Sequence, residues 1–426
     1  MSDEVDCIVV GAGLAGLACS RELAKAGRRV MLVEAADRVG GRVATETIDG
    51  FRLDRGFQVY NDAYPEGRRM LDLPGLRLGR FEPGALIAED GRLLRVSDPW
   101  RRPLAAVSSL LSGAVGLGDA MRTARLRRDA IRGVRTGGVA PDAAAPAGER
   151  TAREELVARG FTADFIRRFF VPFFGGVFLE RSLDTAASVL LYDFAMFSLG
   201  RACLPACGMD AIPRQLAAGL PAGTVRLGTS VRSVERGAVT LDDGSRLRAR
   251  DVVVAVDWLA AESILPERFR GGPARAAKGT RLAAFAAERS PLSSRVLVVS
   301  ADANGPIDNL TVPSDVAAGY APAGKSLVFT SIRASHADAS EADLAEAVRR
   351  QAAGWFGDDA LAWRLLTTVA VPHALPDESP AARRLRPATP ALAPGLWMCG
   401  DHCGMASING ALASGRRCAE AILAAA

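Results

Sequence analysis

The chain has 426 residues, 49% of them apolar and 24% charged, with a formal net charge of +5. This length allows two or three globular domains, and the composition excludes a disordered or fibrous chain. Only three lysines occur (Lys25, Lys278, Lys325), so arginine carries the basic charge; it is spread along a chain with few aromatics, which argues against a nucleic-acid partner.

The acidic start, Met1-Ser2-Asp3-Glu4, runs straight into an apolar segment, so no signal peptide is expected. No apolar run reaches the ~18 residues needed to span a bilayer. Seven cysteines, an odd number in a chain this large, fit a reducing cytosol. The expected location is cytoplasmic, with peripheral membrane contact kept as an alternative. The oligomeric state is not readable.

Val5–Val10 reads as a short buried strand. Gly11-Ala12-Gly13-Leu14-Ala15-Gly16 follows, a G-x-G-x-x-G at a strand-to-helix junction. Leu14–Ala26 has helical composition and stops at Gly27, and Arg29–Val33 is a second strand closed by Glu34. The acid lies 18 positions after Gly16. Each part has a chemical reason. Gly11 permits the tight turn, Gly13 lets a pyrophosphate approach the backbone, and Gly16 lets the helix pack on the strand. Leu14 and Ala15 open a helix whose free N–H groups and partial positive charge suit phosphates. Glu34 accepts hydrogen bonds from a ribose.

Ala35-Ala36-Asp37-Arg38-Val39-Gly40-Gly41-Arg42 comes next. Two glycines and an arginine just beyond the ribose acid resemble the extended FAD fingerprint of the flavin-containing amine oxidase and carotenoid (phytoene) desaturase superfamily. The resemblance implies that Glu34, Ala35, Gly41 and Arg42 contact non-covalent FAD. It further implies a Rossmann-like α/β cofactor domain interrupted by an α+β substrate-binding part. In Phe51–Tyr60, Asp54 and Gly56 match the segment that passes under the flavin ring, so Gly56 and Phe57 join the cofactor set. Gln58 and Tyr60 are then the first side chains past the flavin, candidates for positioning substrate or taking a proton. Hydrogen bonding inside a polar core suits them equally.

Ala85–Glu89 and Arg92–Val96 read as short strands. Leu104–Gly118 is apolar and broken by serine and glycine. Arg125, Arg128, Arg132 and Arg135 fall on one helical face. That face is either a solvated side of a lid helix, the favoured reading, or an interfacial surface for an apolar substrate entering from a membrane. Thr136–Glu149 is a Gly/Ala/Pro loop. Phe165–Gly200 holds nine aromatics in 36 residues. Within it, Pro172–Phe178 resembles the segment lining the substrate tunnel in carotenoid-desaturase-like proteins. Plain core and tunnel wall are both kept open.

Pro205-Ala206-Cys207-Gly208-Met209 resembles the family's Pro-x-Gly-Gly-Met, with Cys207 in place of the first glycine. Val225–Glu235 and Ala238–Leu241 read as strands, Asp242-Asp243-Gly244 as a hairpin turn, and Asp251–Val256 as a buried strand. By resemblance the strand holding Val231 pairs its backbone with adenine. Ala283–Ala287 and Val296–Ser300 alternate like strands, and Glu341–Phe356 is a helix. Amine oxidases of the family carry a lysine near flavin N5. The resemblance puts Ala283 at that position, with Lys278 five residues early, which speaks against an ordinary amine cage.

Gly400-Asp401 resembles the second FAD motif. Ser407, Ile408 and Asn409 open a final helix aimed at the flavin. Cys203/Cys207 and Cys399/Cys403 are spaced as metal or redox pairs, but no metal is expected. His402 beside the motif suggests an acid/base or a covalent attachment. The expected layout is residues 1–75, 205–265 and 386–426 for FAD, and 76–204 and 266–385 for substrate. The expected reaction is hydride transfer from an apolar small molecule to FAD. Amine oxidation with an altered cage and non-redox isomerisation are the alternatives.

Overall fold

The computed structural model describes residues 5–98, 100–101, 115–140, 142–270 and 276–425. The acidic start and most of the Leu104–Gly118 run lie outside them. Val5–Val10 pairs in parallel with Val30–Val33 on one side and Arg246–Val254 on the other. Val225–Arg226 and Leu396–Met398 extend the two edges, again in parallel. One sheet therefore takes strands from the start, middle and end of the chain. Its central runs Cys7–Val10, Val30–Val33 and Val252–Val254 are wholly apolar and buried because both faces are covered, as a parallel sheet requires.

Two helices press on one face of this sheet. Leu14–Lys25 and Ile408–Ala424 approach closely through small residues, and a Cβ on Gly415 would fall 2.1 Å from the carbonyl oxygen of Ala15. The run Val225–Glu235 divides at Gly228, whose φ of +61° redirects the chain. Gly228 N–H bonds to Ala36 O, and Val231–Glu235 then turns to pair antiparallel with Ala238–Leu241. A single strand here would have kept the chain in the parallel layer.

A second, mixed sheet has the order Arg364–Pro376, Ala277–Ala287, Ser326–Ile332, Ile307–Thr311, Leu297–Ser300, Gly84–Glu89, Arg92–Ser97. Helix Glu341–Phe356 covers its outer face through Leu344, Val348 and Trp355. Helices Leu117–Thr136, Ala152–Ala158, Val171–Phe178 and Ala187–Leu199 pack around a core of their own, centred on Leu126, Leu156, Phe170, Phe174 and Leu190. A π-helical turn at Ile166–Phe170 leads into Val171–Phe178. The outward face of Leu117–Thr136 carries Leu117 and Met121, then Arg125, Arg128, Arg132 and Arg135, all exposed. Among the described residues no helix is long and apolar enough to cross a membrane.

Candidate functional site

At the carboxyl end of the first strand, Gly11 has φ +105°, and a Cβ there would lie 2.9 Å from Ala255 O. A Cβ on Gly16 would sit 2.0 Å from Gly11 O, so the helix rests directly on the turn. Gly16 is thus a packing residue behind the site. Gly13 caps the helix with no side-chain bond and faces open space, leaving the first-turn N–H groups for a ligand. Glu34 accepts from Ala12 N–H (2.7 Å, Oε2) and Ala36 N–H (3.0 Å, Oε1). Its carboxylate is therefore fixed at the turn with lone pairs to spare.

The second glycine turn closes on the first. Gly40 and Gly41 have φ of +114° and +58°, Gly40 N–H bonds to Ala12 O, and a Cβ on Gly41 would lie 3.6 Å from Gly13 Cα. Arg42 then crosses to the other end of the chain, bonding Asp401 Oδ1 (2.7 Å) and Ala374 O (2.8 Å). Asp401 holds the Arg42 guanidinium above its ordinary pKa. Burial works against the Asp401 carboxylate, but Arg42 outweighs it and keeps the group below the usual range.

Gly11, Gly13, Leu14, Ala15, Glu34, Ala35, Gly41, Arg42, Gly56, Phe57, Gln58, Gly400, Asp401, Ser407 and Ile408 all line one cavity of about 930 Å³. Val231, Asn409, Tyr60 and His402 do not. Val231 packs its side chain toward the sheet core. Asn409 faces the other way, accepting from Glu66 N–H and donating to Tyr192 Oη. His402 is buried 6.0 Å from the Trp258 ring. Tyr60 departs from the expected active-site position because it stands in the short strand Tyr60–Asn61, paired with Cys203, where alternation sends its side chain to the core. Its ring is fully buried beside Tyr64, and Asn61, its neighbour in the strand, lines the cavity instead. Gln58 gives its amide nitrogen to Arg42 O and Arg55 O, at 2.9 and 3.0 Å, so its oxygen is the atom left for the cavity.

Beneath the cradle Asp54 is buried. It accepts from Thr45 Oγ1 (2.5 Å), Met209 N–H (3.0 Å) and Tyr320 Oη (2.6 Å). Burial pushes its carboxyl up to about 6 against those three bonds. The glycine that this corner needs is Gly208, with φ +97°, so Cys207 is tolerated. The four paired cysteines do not converge. Cys207 is exposed near Arg77, whereas Cys399 faces Cys19 and Cys418.

The same cavity continues between the second sheet and the helical layer. Phe165, Phe169, Phe173, Phe174, Phe178, Phe194 and Phe197 line it. Consecutive rings on the helix stand 5–6 Å apart, for example Phe169–Phe173 at 5.7 Å and Phe174–Phe178 at 5.4 Å. They form core and wall at once. Lys278 and Thr280 also line it, and Thr280 approaches Gly56. Ala283 instead lies in the core behind the sheet. The expectation that the cavity lacks a lysine is therefore corrected: alternation along the strand puts Lys278 and Thr280 on the cavity side and Ala283 on the other, and Lys278 meets Glu180 at 2.7 Å and Asp377 at 3.8 Å. Asp193 lines the cavity with no hydrogen bond or ion pair among the described residues. Burial, with Glu378 adding to it, pushes its carboxyl well above the usual range. An acid inside an aromatic helical run gives no sequence signal, so Asp193 had none to offer.

The cradle fits a dinucleotide in three ways. A Cβ would clash at Gly11, Gly16 and Gly40 while Gly13 leaves open space, the helix N-terminus has no side-chain cap, and Glu34 is fixed beside both. The sequence profile for flavin containing amine oxidoreductase matches residues 14–423. The chain belongs to that family. FAD, the cofactor expected from the glycine motifs, agrees with it. The chain is 43% identical over 91 residues to putrescine oxidase of Kocuria rosea, a match covering 21% of this chain and 19% of that protein. It is 38% identical over 104 residues to phytoene dehydrogenase of Streptomyces griseus, covering 24% and 18%. These matches span about a fifth of each relative's length. A solved structure of wild-type putrescine oxidase bound to putrescine superposes with a TM-score of 0.73 at 18% identity, covering 99% of both chains. At that identity the likeness speaks for the fold.

Proposed function

We propose that the protein is an FAD-dependent oxidoreductase that takes a hydride from a carbon of a largely apolar small molecule. The observation that carries this is the continuity of the glycine cradle with a phenylalanine-lined cavity. FAD, when bound, supplies the two-electron acceptor. The chain's own residues do the rest. Gly13, Leu14 and Ala15 offer N–H groups to phosphates, and Glu34 holds a ribose. Arg42 and Asp401 clamp the first and last segments of the chain over the cofactor. We assign the discontinuous cofactor part and the intervening substrate part accordingly. The rings from Phe169 to Phe178 exclude water and orient an apolar body, which shortens the search for a reactive geometry.

Burial, with Glu378 adding to it, favours the protonated form of Asp193, which would present a proton donor at the wall. Gln58 offers an acceptor. Amine oxidation is the second reading, favoured by Lys278 beside the cavity and by the same Asp193, whose carboxyl would ionise on meeting an ammonium group. Anaerobic mixing of the purified holoenzyme with two substrate panels separates the readings. Bleaching of the flavin absorbance by apolar alkenes is the expected result. Rapid bleaching by primary or secondary amines alone would overturn it in favour of amine oxidation. Turnover with no reduced flavin at any stage would remove the redox reading altogether.

A further inference from the structure

Helix Ala187–Leu199 runs along the cavity wall, a rise of roughly 18 Å. Thr185, just before it, lies beside Lys278 at the flavin end. The other end of the helix carries a different chemistry. There Arg101 donates to Ser198 O and Gly200 O, both at 2.7 Å, satisfying the last carbonyls of the helix. Arg127 and Arg201 line the cavity beside it, and Arg127 stacks over the Trp100 ring at 4.5 Å.

The charges at this end do not balance. Asp98 is 3.7 Å from Arg101, Asp62 is 3.1 Å from Arg80, and Glu82 is 3.4 Å from Arg95. Each acid has its cation. Among the described residues Arg127 and Arg201 have no carboxylate partner, and Arg127 Nε is buried with no hydrogen-bond acceptor. The neighbouring segment 102–114 contains no Asp or Glu, so it has no carboxylate to supply. Arg101 already feels both guanidiniums as unfavourable neighbours. Burying the Arg127 Nε donor without an acceptor is costly; Arg201 is exposed, and its cost is the crowding of like charge beside Arg101 and Arg127. An anion supplied from outside removes both costs.

We propose that Arg127 and Arg201 form an anion subsite that holds the charged head of an amphipathic substrate, a carboxylate or phosphate, while its apolar body lies along the phenylalanines toward the flavin. This rests on the oxidoreductase reading for the far end of the cavity, but the binding itself does not require turnover. Arg127, planar and stacked on Trp100, is held ready for a two-point contact with such a head group. The apolar stretch between the two ends selects for length, and the subsite sets which end of the molecule reaches the flavin.

Calorimetric titration of the holoenzyme with dodecanoate, dodecyl phosphate, dodecanol and dodecylamine tests this. Dodecanoate or dodecyl phosphate should bind at least roughly tenfold more tightly than dodecanol, with an advantage that shrinks as salt rises. The tighter of the two names the head group, and either order supports the subsite. In Arg127→Gln/Arg201→Gln the advantage should disappear while FAD content and dodecanol affinity stay as in the parent. Equal binding of the alcohol, or preference for the amine, overturns the proposal without variants. Retention of the anion preference in the double variant overturns it as well. Failure of flavin bleaching with an intact anion preference would sink only the redox reading.

Discussion

Replacing Glu34 by alanine should weaken FAD binding by a predictable amount. The Glu34 carboxylate uses one lone pair on each oxygen, for Ala12 N–H at 2.7 Å and Ala36 N–H at 3.0 Å. Two acceptor positions remain for a ribose diol. Losing a charge-assisted pair costs about 1.5–3 kcal/mol. FAD should then bind roughly 10- to 150-fold more weakly. Quenching of FAD fluorescence on titration into apoprotein measures this. The substitution also frees Ala12 N–H inside the glycine turn, so a general loosening must be separated from a lost ribose contact. Competition by ADP and by FMN does that. The ADP end should lose affinity in Glu34→Ala and the FMN end should not. Unchanged FAD affinity, or equal loss for both fragments, would refute the ribose role.

Arg42→Ala should leave Asp401 buried without its cation, and breaking such a pair costs up to roughly 3–5 kcal/mol, less here because Arg42 is partly exposed; a lowered melting temperature and loss of FAD on gel filtration check it. Lys278→Met should retain FAD but slow flavin reduction by at least about tenfold if the ammonium acts on substrate, whereas an unchanged stopped-flow rate would make Lys278 only a tie between Glu180 and Asp377. Asp54 has its folded-state pKa raised to about 6 from 3.8, so between about pH 4 and 6 the folded protein holds a proton that the unfolded chain has released. Stability should therefore fall as pH rises through that window, by up to roughly 3 kcal/mol from this group. Asp54→Asn should lose that decline relative to the parent in urea titrations at pH 4.5 and 7, and parallel pH dependences would contradict it.

The glycine turns, the buried valine-rich strands and the helix Glu341–Phe356 were legible because their signals are local. Each needs only a few neighbouring residues to specify its backbone. The misplacements arise where the bounds and alternation of a strand decide which way side chains point. Gln58 and Tyr60 both read as the first side chains past the flavin, but Tyr60 opens a short strand whose alternation turns it into the core. At Lys278 a comparison by position chose Ala283 instead, five residues further and therefore on the opposite face of an alternating strand. Gly228 cut one apparent strand into two with different partners. Arg127 and Arg201 lie far apart in sequence, and their shared environment exists only once helix Ala187–Leu199 is in place. Asp193 is the same kind of case, since its meaning depends on which atoms fail to reach it.

The most direct test is to identify what the purified protein carries. Acid or heat denaturation should release a yellow chromophore into the supernatant in about one-to-one ratio with the chain, converted to FMN by phosphodiesterase and leaving no flavin on the polypeptide. That outcome is the one expected of a non-covalent FAD clamped between Gly11–Gly16, Arg42 and Asp401. A colourless protein that neither holds nor recovers FAD on reconstitution, or one that releases FMN alone, would contradict the account at its centre.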